Sequence, residues 1–401
     1  MRGVVRWFVV VITVIHGLIH LLGVAKGFGW AEVTELEGSI STAGGAVWLL
    51  AAVLVVAAGV LLAARTRWWW AVGAAAVVAS QIVIVTAWSD AWAGTVANVI
   101  LLAAVGYGFA AHGPGGARAE YRRLVRSTLA DPPPAELITD DDLAGLPGPV
   151  ARYVRRSGAV GQPRVVSFRA EIHGRIRAAA DAPWMTFVGQ QVNTYGRHPA
   201  RLFLIDATMS GLPVDVLHSF VGPTARMRVK LCSLITMADA TGPEMNRGET
   251  VTLFNDLCLF APAALVDAPI QWEPIDDRHV GATFTNGAES VRAELVFSDD
   301  GDMIDFVSDD RYRSIDNGKR FVAQRWSTPV DEHRSFGSRR AITRGRGVWH
   351  APEPEGDFAY LELEIDAIAY NVTAEVASAD RAPHAPVHAE DAVATPAKHR
   401  A

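Results

Sequence analysis

Four long apolar runs fill the first 111 residues of this 401-residue chain: roughly Trp7 to Val24, Thr42 to Ala64, Trp68 to Ala87 and Gly94 to Ala111. Each reaches or approaches the roughly 20 residues a helix needs to cross hydrocarbon. A cleaved signal peptide would explain only the first, and no obvious small-residue cleavage site precedes the second. Four spanning helices are therefore expected, each pairing its own backbone. Gly17, Gly23, Gly44, Gly45, Gly59 and Gly73 suit helices that approach closely in lipid. The link Arg65-Thr66-Arg67 is short enough only for an antiparallel turn, and Trp68, Trp69 and Trp70 stand where interfacial aromatics are favoured.

Basic residues set the expected orientation. Arg2 and Arg6 precede the first run, Arg65 and Arg67 join the second and third, and Arg118, Arg122, Arg123 and Arg126 come after the fourth. The opposite loops offer only Lys26, beside Glu32, Glu35, Glu37 and Asp90. Both termini, and the whole polar remainder of the chain, are expected on the cytoplasmic side. No Asp, Glu, Lys or Arg lies well inside a run, which weakens a pump or channel reading.

Within the stretch VVVITVIHGLIHLLG, His16 and His20 are four apart and share a helix face. With the runs laid antiparallel, Gln81 and Asn98 fall in the same outer half of the bilayer. Two readings stay open: histidines hydrogen-bonded across the bundle, or a small polar pocket of His16, His20, Gln81 and Asn98, rimmed by Glu35, Glu37 and Asp90, holding a quinone-like cofactor. The identity of any cofactor stays open too. Two histidines on one helix cannot clamp opposite faces of one haem.

Composition changes at AHGPGG. A short basic helix is expected over about Ala117 to Leu129, and ADPPPAELITDDD reads as a linker, so residues 112–140 separate the spans from the rest of the chain. A further helix, from about Pro149 through Arg156, leads into residues 141–372, where the hydrophobic period becomes two. In RVVSFRAEIHGRIRA, Val166, Phe168, Ala170, Ile172, Gly174, Ile176 and Ala178 share one side. Several such runs, with Asn-Gly and Asp-Gly turns, predict a meander of nine to eleven antiparallel strands. The missing βαβ rhythm disfavours a doubly wound nucleotide-binding fold. One helix, NRGETVTLFNDLCLFAPAALV, interrupts the meander, with Asn246 as its expected cap and Glu249 completing a capping box. Thr250, Leu253, Leu257, Phe260 and Ala264 recur at helical spacing, so it should lay one apolar face on a curved sheet or half-barrel and leave a greasy groove. Residues 373–401, rich in alanine, proline and charge, are expected to be disordered.

The segments MRVKLCSLITMADATGPEMNRGETVTLFNDLCLFAPAAL, FTNGAESVRAELVFSDDGDMIDFVSDDRYR, WSTPV and IAYNV together resemble the bacterial domain-of-unknown-function family 6544, over about Asp141 to Val372. That resemblance implies a place behind hydrophobic spans in a bacterial inner membrane, and it carries no catalytic roles. The helix-interrupted strand pattern is similar to lipoprotein-sorting and lipid-carrier folds, whose curved sheets hold acyl chains. Those carriers work outside the cytoplasm, whereas the charge rule sets this domain inside.

The densest polar cluster is SDDRYR. Adjacent strand residues point to opposite faces, so Asp309 and Asp310 are either a strand end paired with arginines or part of a site with Glu249, Asn255 and Asp256. In the second case Glu249, Asp256, Asp309 and Asp310 would divide acid and base work. Metal ligation through His173, His198 or His218 has no supporting motif, so no metal is expected. Cys232 and Cys258 read as two buried thiols. The rows Arg226, Arg228, Lys230 and Arg169, Arg175, Arg177 suit solvated strand faces or anionic headgroups. A formal charge of −6 and the lack of any recognition module exclude nucleic acid as a partner. The leading expectation is a membrane-integral protein whose β domain binds a lipid or other amphiphile, with transfer or sensing as the consequence. Membrane lipids are the expected partners; a carboxylate enzyme and a non-catalytic scaffold are the alternatives.

Overall fold

The computed structural model describes residues 3–129, 136–196 and 198–378. Part of the expected linker and most of the expected tail lie outside the described residues. The apolar runs form α1 (Gly3–Gly27), α2 (Thr42–Ala63), α3 (Trp69–Thr86) and, after the single turn α4 (Trp88–Ala91), α5 (Gly94–His112). Among the described residues four helices are long and apolar enough to cross a membrane. Glycine lets α1 and α2 meet: a Cβ on Gly23 would stand 2.1 Å from the Trp48 ring, and one on Gly17 2.7 Å from Val56. Leu18, Leu50, Val78 and Leu102 point outward and are exposed, as a face turned to hydrocarbon requires.

A glycine-rich link leads to α6 (Ala117–Thr128), which lies against the outer face of the β domain. Tyr121, Val125 and Leu129 pack on Val192, Leu202, Leu204 and Leu217. Arg118 pairs with Asp206 and Glu120 with Arg228. Next comes α7 (Gly148–Arg156), and then the strands: β1 (Ser167–Ile176), β2 (Met185–Thr194), β3 (Ala200–Met209), β4 (Leu212–Val221), β5 (Thr224–Leu231) and β6 (Ile235–Ala240). The central helix α8 (Pro243–Phe260) comes next, and then β7 (Ile270–Pro274), β8 (His279–Asn286), β9 (Glu289–Phe297), β10 (Met303–Ser308), β11 (Tyr312–Ile315) and β12 (Arg320–Ala323). The last elements are β13 (Trp326–Ser327), β14 (Val330–Phe336), β15 (Arg339–His350), β16 (Asp357–Tyr370) and the short α9 (Ala374–Ser378).

One open sheet takes the order β6-β5-β4-β3-β2-β1-β16-β15-β13-β10-β9-β8-β7, with β14 also on β15, while β11 and β12 form a separate hairpin. Every pairing between these strands is antiparallel. The chain leaves the sheet at one edge, β6, passes through α8, and rejoins it at the other edge, β7. The strands outnumber the nine to eleven expected. Among those missed, β2 and β4 carry polar residues on their inward face, Gln191 and Asn193 on one and His218 on the other; β3, expected from ARLFLIDATM, is buried on both faces because α6 covers its outside. A strand whose inward face is polar loses the apolar alternation that identifies it.

Two expectations for the helices change. Asn246 does not cap α8: the helix begins at Pro243, after Gly242 at φ 113°, and the Asn246 side chain instead accepts the Ala225 N–H at 2.8 Å. Proline at the first position supplies the helical φ without forfeiting a hydrogen bond. Nor is α8 one-sided, since every residue from Gly248 through Phe260 is buried. Residues 374–378, expected within an unstructured tail, form α9 because Ala377 packs on the α6 cluster.

The Phe254 ring, in the middle of α8, stacks on Phe284 at 5.1 Å and meets Phe306 edge-on at 5.2 Å. Phe254→Ala should cost about 3–5 kcal/mol, read as a lowered midpoint in thermal unfolding of the purified chain. A midpoint unchanged from wild type would contradict a core centred on α8.

Candidate functional site

Between α8 and the sheet lies a cavity of about 320 Å³. Register sets its long axis. Along β3, Arg201, Phe203, Ile205 and Ala207 face inward in succession, about 20 Å at ~3.4 Å per residue. Ala207 is level with Val214, Val214 with Leu231, and Ile176 with Met185. At that end the wall is mainly apolar, with Arg177 and Arg313 at its rim, and Ile176, Met185 and Val229 are only half-buried while Ala178 is exposed. At the Arg201 end the lining is polar, and Gln191, Arg201, Glu249, Asn255 and Asp256 are all buried. The cavity therefore opens at the mainly apolar strand ends, where Arg177 and Arg313 stand, and closes on a buried charged cluster.

Arg201 organises that closed end. Its Nε donates to Asp256 Oδ2 at 2.7 Å and its Nη1 to Glu249 Oε2 at 3.1 Å. Glu249 and Asp256 are seven residues apart, two turns along one face of α8. Gln191 and Asn193 of β2 also donate to Asp256 Oδ2, at 2.6 and 3.0 Å. On Glu249 the other oxygen, Oε1, lies 3.7 Å from His218 Nδ1 and 3.7 Å from Arg311 Nη2, too far for direct hydrogen bonds. Glu249 Oε1, His218 Nδ1 and Arg311 Nε are buried without a hydrogen-bond partner. The Arg311 guanidinium lies over the Trp326 and Trp349 rings, 5.3 and 5.8 Å from their centroids. Burial acts to raise the Glu249 carboxyl, but Arg201, His218 and Arg311 outweigh it and hold it well below the usual carboxylate range. For Asp256, burial prevails over Arg201 and Asn193 and pushes the carboxyl up. Burial likewise pushes the Cys258 thiol up.

The four carboxylates do not form one site. Glu249 and Asp256 line the cavity, whereas Asp309 is exposed with Arg325 at 3.5 Å, and Asp310 is held by Arg247 at 2.7 Å and the Arg292 N–H at 2.7 Å. The neighbours that turn inward from SDDRYR are Arg311 and Arg313. Asn255 donates to Thr328 Oγ1 at 2.6 Å. The basic rows are largely partnered: Arg226 with Asp239, Arg228 with Glu120, Arg169 with Glu171 and Arg175 with Glu362. Cys258 is buried but Cys232, in the β5–β6 turn at φ 51°, is only partly so, because the tight turn lifts it off the core. Among the described residues no cluster of three His, Cys, Asp or Glu side chains gathers to hold a metal.

In the helical bundle, the His20 Nε2 lies 2.8 Å from Ser80 Oγ, and the His16 Nε2 lies 3.0 Å from Ser80 Oγ and 3.2 Å from Asn98 Oδ1. Ser80 donates to Asn98 Oδ1 at 3.0 Å, Asn98 to Gln81 Oε1 at 3.0 Å, and Gln81 to Thr95 Oγ1 at 3.2 Å. His16, His20, Gln81 and Asn98 thus belong to one chain of hydrogen bonds. At its hub is Ser80, which nothing in the sequence pattern singles out. The chain sits near the start of α5, away from the end that leads to the β domain.

Arg201, Gln191 and Asn193 are also not apparent from sequence pattern alone. A signal exists in ARLFLIDATM: Arg201 shares a side with Phe203, Ile205 and Ala207, an arginine on the apolar face of a strand. Such a residue needs buried acids, and α8 supplies two.

Arg201→Met should leave Glu249 and Asp256 without their shared cation and cost about 3–5 kcal/mol near neutral pH. Because the Glu249 carboxyl is depressed in the fold, its contribution is complete above the unfolded value of about 4.3 and is lost as pH falls below it. In the variant, protonation relieves the unpaired carboxylates, so the gap in thermal midpoint should narrow between about pH 7 and about pH 5. A gap that stays constant or widens would remove the charge-pair account.

Comparison with solved structures finds distant likenesses. A domain named as an outer membrane lipoprotein-sorting protein from Vibrio parahaemolyticus matches 51% of this chain and 85% of its own, at 9% identity and TM-score 0.32. A DUF1329 family protein from Desulfovibrio piger matches 56% and 92%, at 13% identity and TM-score 0.32. A LolA superfamily protein from Nitrosomonas europaea matches 58% and 94%, at 12% identity and TM-score 0.31. No curated protein matches the sequence. A family model does, across residues 136–363, from the segment before α7 into β16, and the chain belongs to that family of unknown function, DUF6544.

Proposed function

We propose that the β domain holds an acyl-chain amphiphile, its polar head at the Arg201 end and its chain running toward Ala207 and Val214, so that this membrane-integral protein binds lipid for transfer or sensing. The observation that carries the reading is a cavity whose apolar flank ends on buried polar atoms lacking partners: Glu249 Oε1, His218 Nδ1 and Arg311 Nε. Leaving such atoms unpaired costs about 1–3 kcal/mol each, which a head group with both acceptor and donor atoms would recover. A volume of about 320 Å³ is at the lower end for small-molecule sites.

A curved sheet, closed part-way round α8, is the form this reading requires. Thirteen strands in a flat row would set the β6 and β7 edges about 58 Å apart at ~4.8 Å per strand. α8, whose 18 residues span about 27 Å at ~1.5 Å each, makes up only part of the link between those edges, residues 241–269. α8 also touches β5 near one edge and β9 and β10 near the other. Contact of one helix with strands near both edges favours a half-barrel around it.

The distribution of arginines supports a cytoplasmic β domain, with Arg65 and Arg67 on the side where α5 leads into α6. A cysteine appended to the C-terminal end should react with a membrane-impermeant maleimide only after the cytoplasmic membrane is permeabilised. Labelling in intact spheroplasts would reverse the orientation.

Spanning helices retain surrounding lipid in any case, so the test must isolate the cavity. The full chain, purified in mild detergent, should carry about one equivalent of a single amphiphile class by native mass spectrometry, on top of a heterogeneous lipid background. Ala207→Trp, which fills the cavity from β3, should lower that specific signal at least several-fold and leave the background unchanged. Equal retention by variant and wild type would refute a cavity-bound ligand.

A further inference from the structure

The ends of two hairpins, β3–β4 and β5–β6, carry apolar side chains that nothing in the β domain covers. Leu212 is 46% exposed, Leu234 56%, Ile235 59% and Met237 39%. They stand on tight turns: Ser210 and Gly211 take φ 48° and 90°, and Cys232 and Ser233 take φ 51° and 58°. Ser233 donates to the Asp215 carboxylate, tying the β5–β6 turn to β4 of the other hairpin. The four residues therefore stand at one end of the sheet on a braced support. They also belong to the end of the strands at which Ala207, Val214 and Ile176 line the open part of the cavity.

The position of the spanning helices says what meets this patch. α6 begins at Ala117, directly after the link from α5, and its first turn is fixed to the same strand ends through Arg118 and Asp206. Tyr107, near the end of α5, lies within electrostatic reach of Asp215, Asp206 and Cys232. The hairpin ends are thus beside the last turns of α5, where a spanning helix leaves hydrocarbon. We infer that Leu212, Leu234, Ile235 and Met237 dip into the headgroup and acyl boundary of the leaflet facing the β domain, which sets the mouth of the cavity on the bilayer. The contact is shallow. β6 is an edge strand, and its unpaired backbone groups need water, so the side chains enter only the outer ~5–10 Å of the leaflet. Lys230, in register with Thr236 beside the patch, suits anionic headgroups at that depth. The contact itself does not depend on what the cavity holds; that a ligand passes from leaflet to cavity rests on the proposed amphiphile site.

Cys232 offers a probe within the patch, since Cys258 is fully buried. A nitroxide on Cys232 of the full chain, in vesicles of phosphatidylethanolamine and phosphatidylglycerol, should be several-fold more accessible to oxygen than to a water-soluble nickel chelate. A nitroxide at Thr224→Cys in a Cys232→Ser background, on the turn at the opposite end of β5, should show the reverse. Leu234→Glu with Ile235→Glu, both at exposed positions, should return the Cys232 label to aqueous behaviour. Aqueous behaviour of the Cys232 label in the otherwise unaltered chain overturns the inference, as does protection from both reagents, which would indicate a second copy covering the patch. Lipid-like behaviour without any specific amphiphile in the cavity would uphold the membrane contact and reject the ligand reading alone.

Discussion

Arg201 is the residue on which the interior of the β domain depends. One guanidinium on β3 holds two carboxylates of α8, and those three charges are almost wholly buried. A buried pair gains little over apolar packing, yet removing one member leaves a charge that the interior cannot solvate. The cluster thus fixes how α8 lies against β3 more than it adds stability. Two amide side chains from β2 add donors to Asp256, so the helix is located from two adjacent strands at once. Glu249 is less completely met: one oxygen is bonded to Arg201 and the other faces His218 and Arg311 across gaps of 3.7 Å. The same cluster therefore closes the fold and leaves a polar opening toward the cavity.

The route of the chain explains why this cluster can exist. Because α8 joins opposite edges of the sheet, it passes across the sheet's interior instead of lying on its surface. A surface helix divides into apolar and polar faces, whereas a helix enclosed by protein must be apolar or have its polar groups matched individually. α8 takes the second course. Phe254, Leu253 and Leu257 serve the core, while Glu249, Asn255 and Asp256 each find partners on a strand or next to one.

Much of this is legible in the sequence, and the remainder is hidden for physical reasons. The spans come from length and hydrophobicity, and the antiparallel strands from alternation in β1, β8, β9 and β16. β3 is legible as a strand too, but not its surroundings: Leu202 and Leu204 face α6 while Phe203 and Ile205 face the core, so neither side is wet. α6 itself is recognisable as a short basic helix, but its docking surface is not, because Tyr121 and Val125 are too few to announce a buried stripe. At the site, Glu249 and Asp256 can be paired as neighbours on a helix, whereas Arg201, Gln191 and Asn193 approach from strands more than 45 residues earlier. The aspartates of SDDRYR draw attention by charge, yet Arg311 and Arg313 are the side chains that reach the cavity. Local patterns disclose which residues share an element; which element faces which is set by register and chain route.

A carrier that moves freely between membranes must take its ligand through water or dock transiently to avoid doing so. Each methylene drawn into water costs about 0.8 kcal/mol, so an acyl chain of ordinary length faces a barrier of order 10 kcal/mol if it leaves the bilayer unprotected. For the proposed amphiphile, a β domain fastened by α5 and α6 with its cavity mouth at the strand ends nearest the bundle would avoid that barrier by position alone. The polar head of the proposed ligand would then travel furthest, from the interface to the Arg201 end, and that is the end where the structure leaves acceptor and donor atoms unmatched. The histidine network gains nothing from this arrangement. It lies near the start of α5, with most of that helix between it and the cavity, and its hydrogen bonds run among His16, His20, Ser80, Asn98 and Gln81. Its nearest physical consequence is therefore the packing of α1, α3 and α5, the helices that hold the β domain to the membrane.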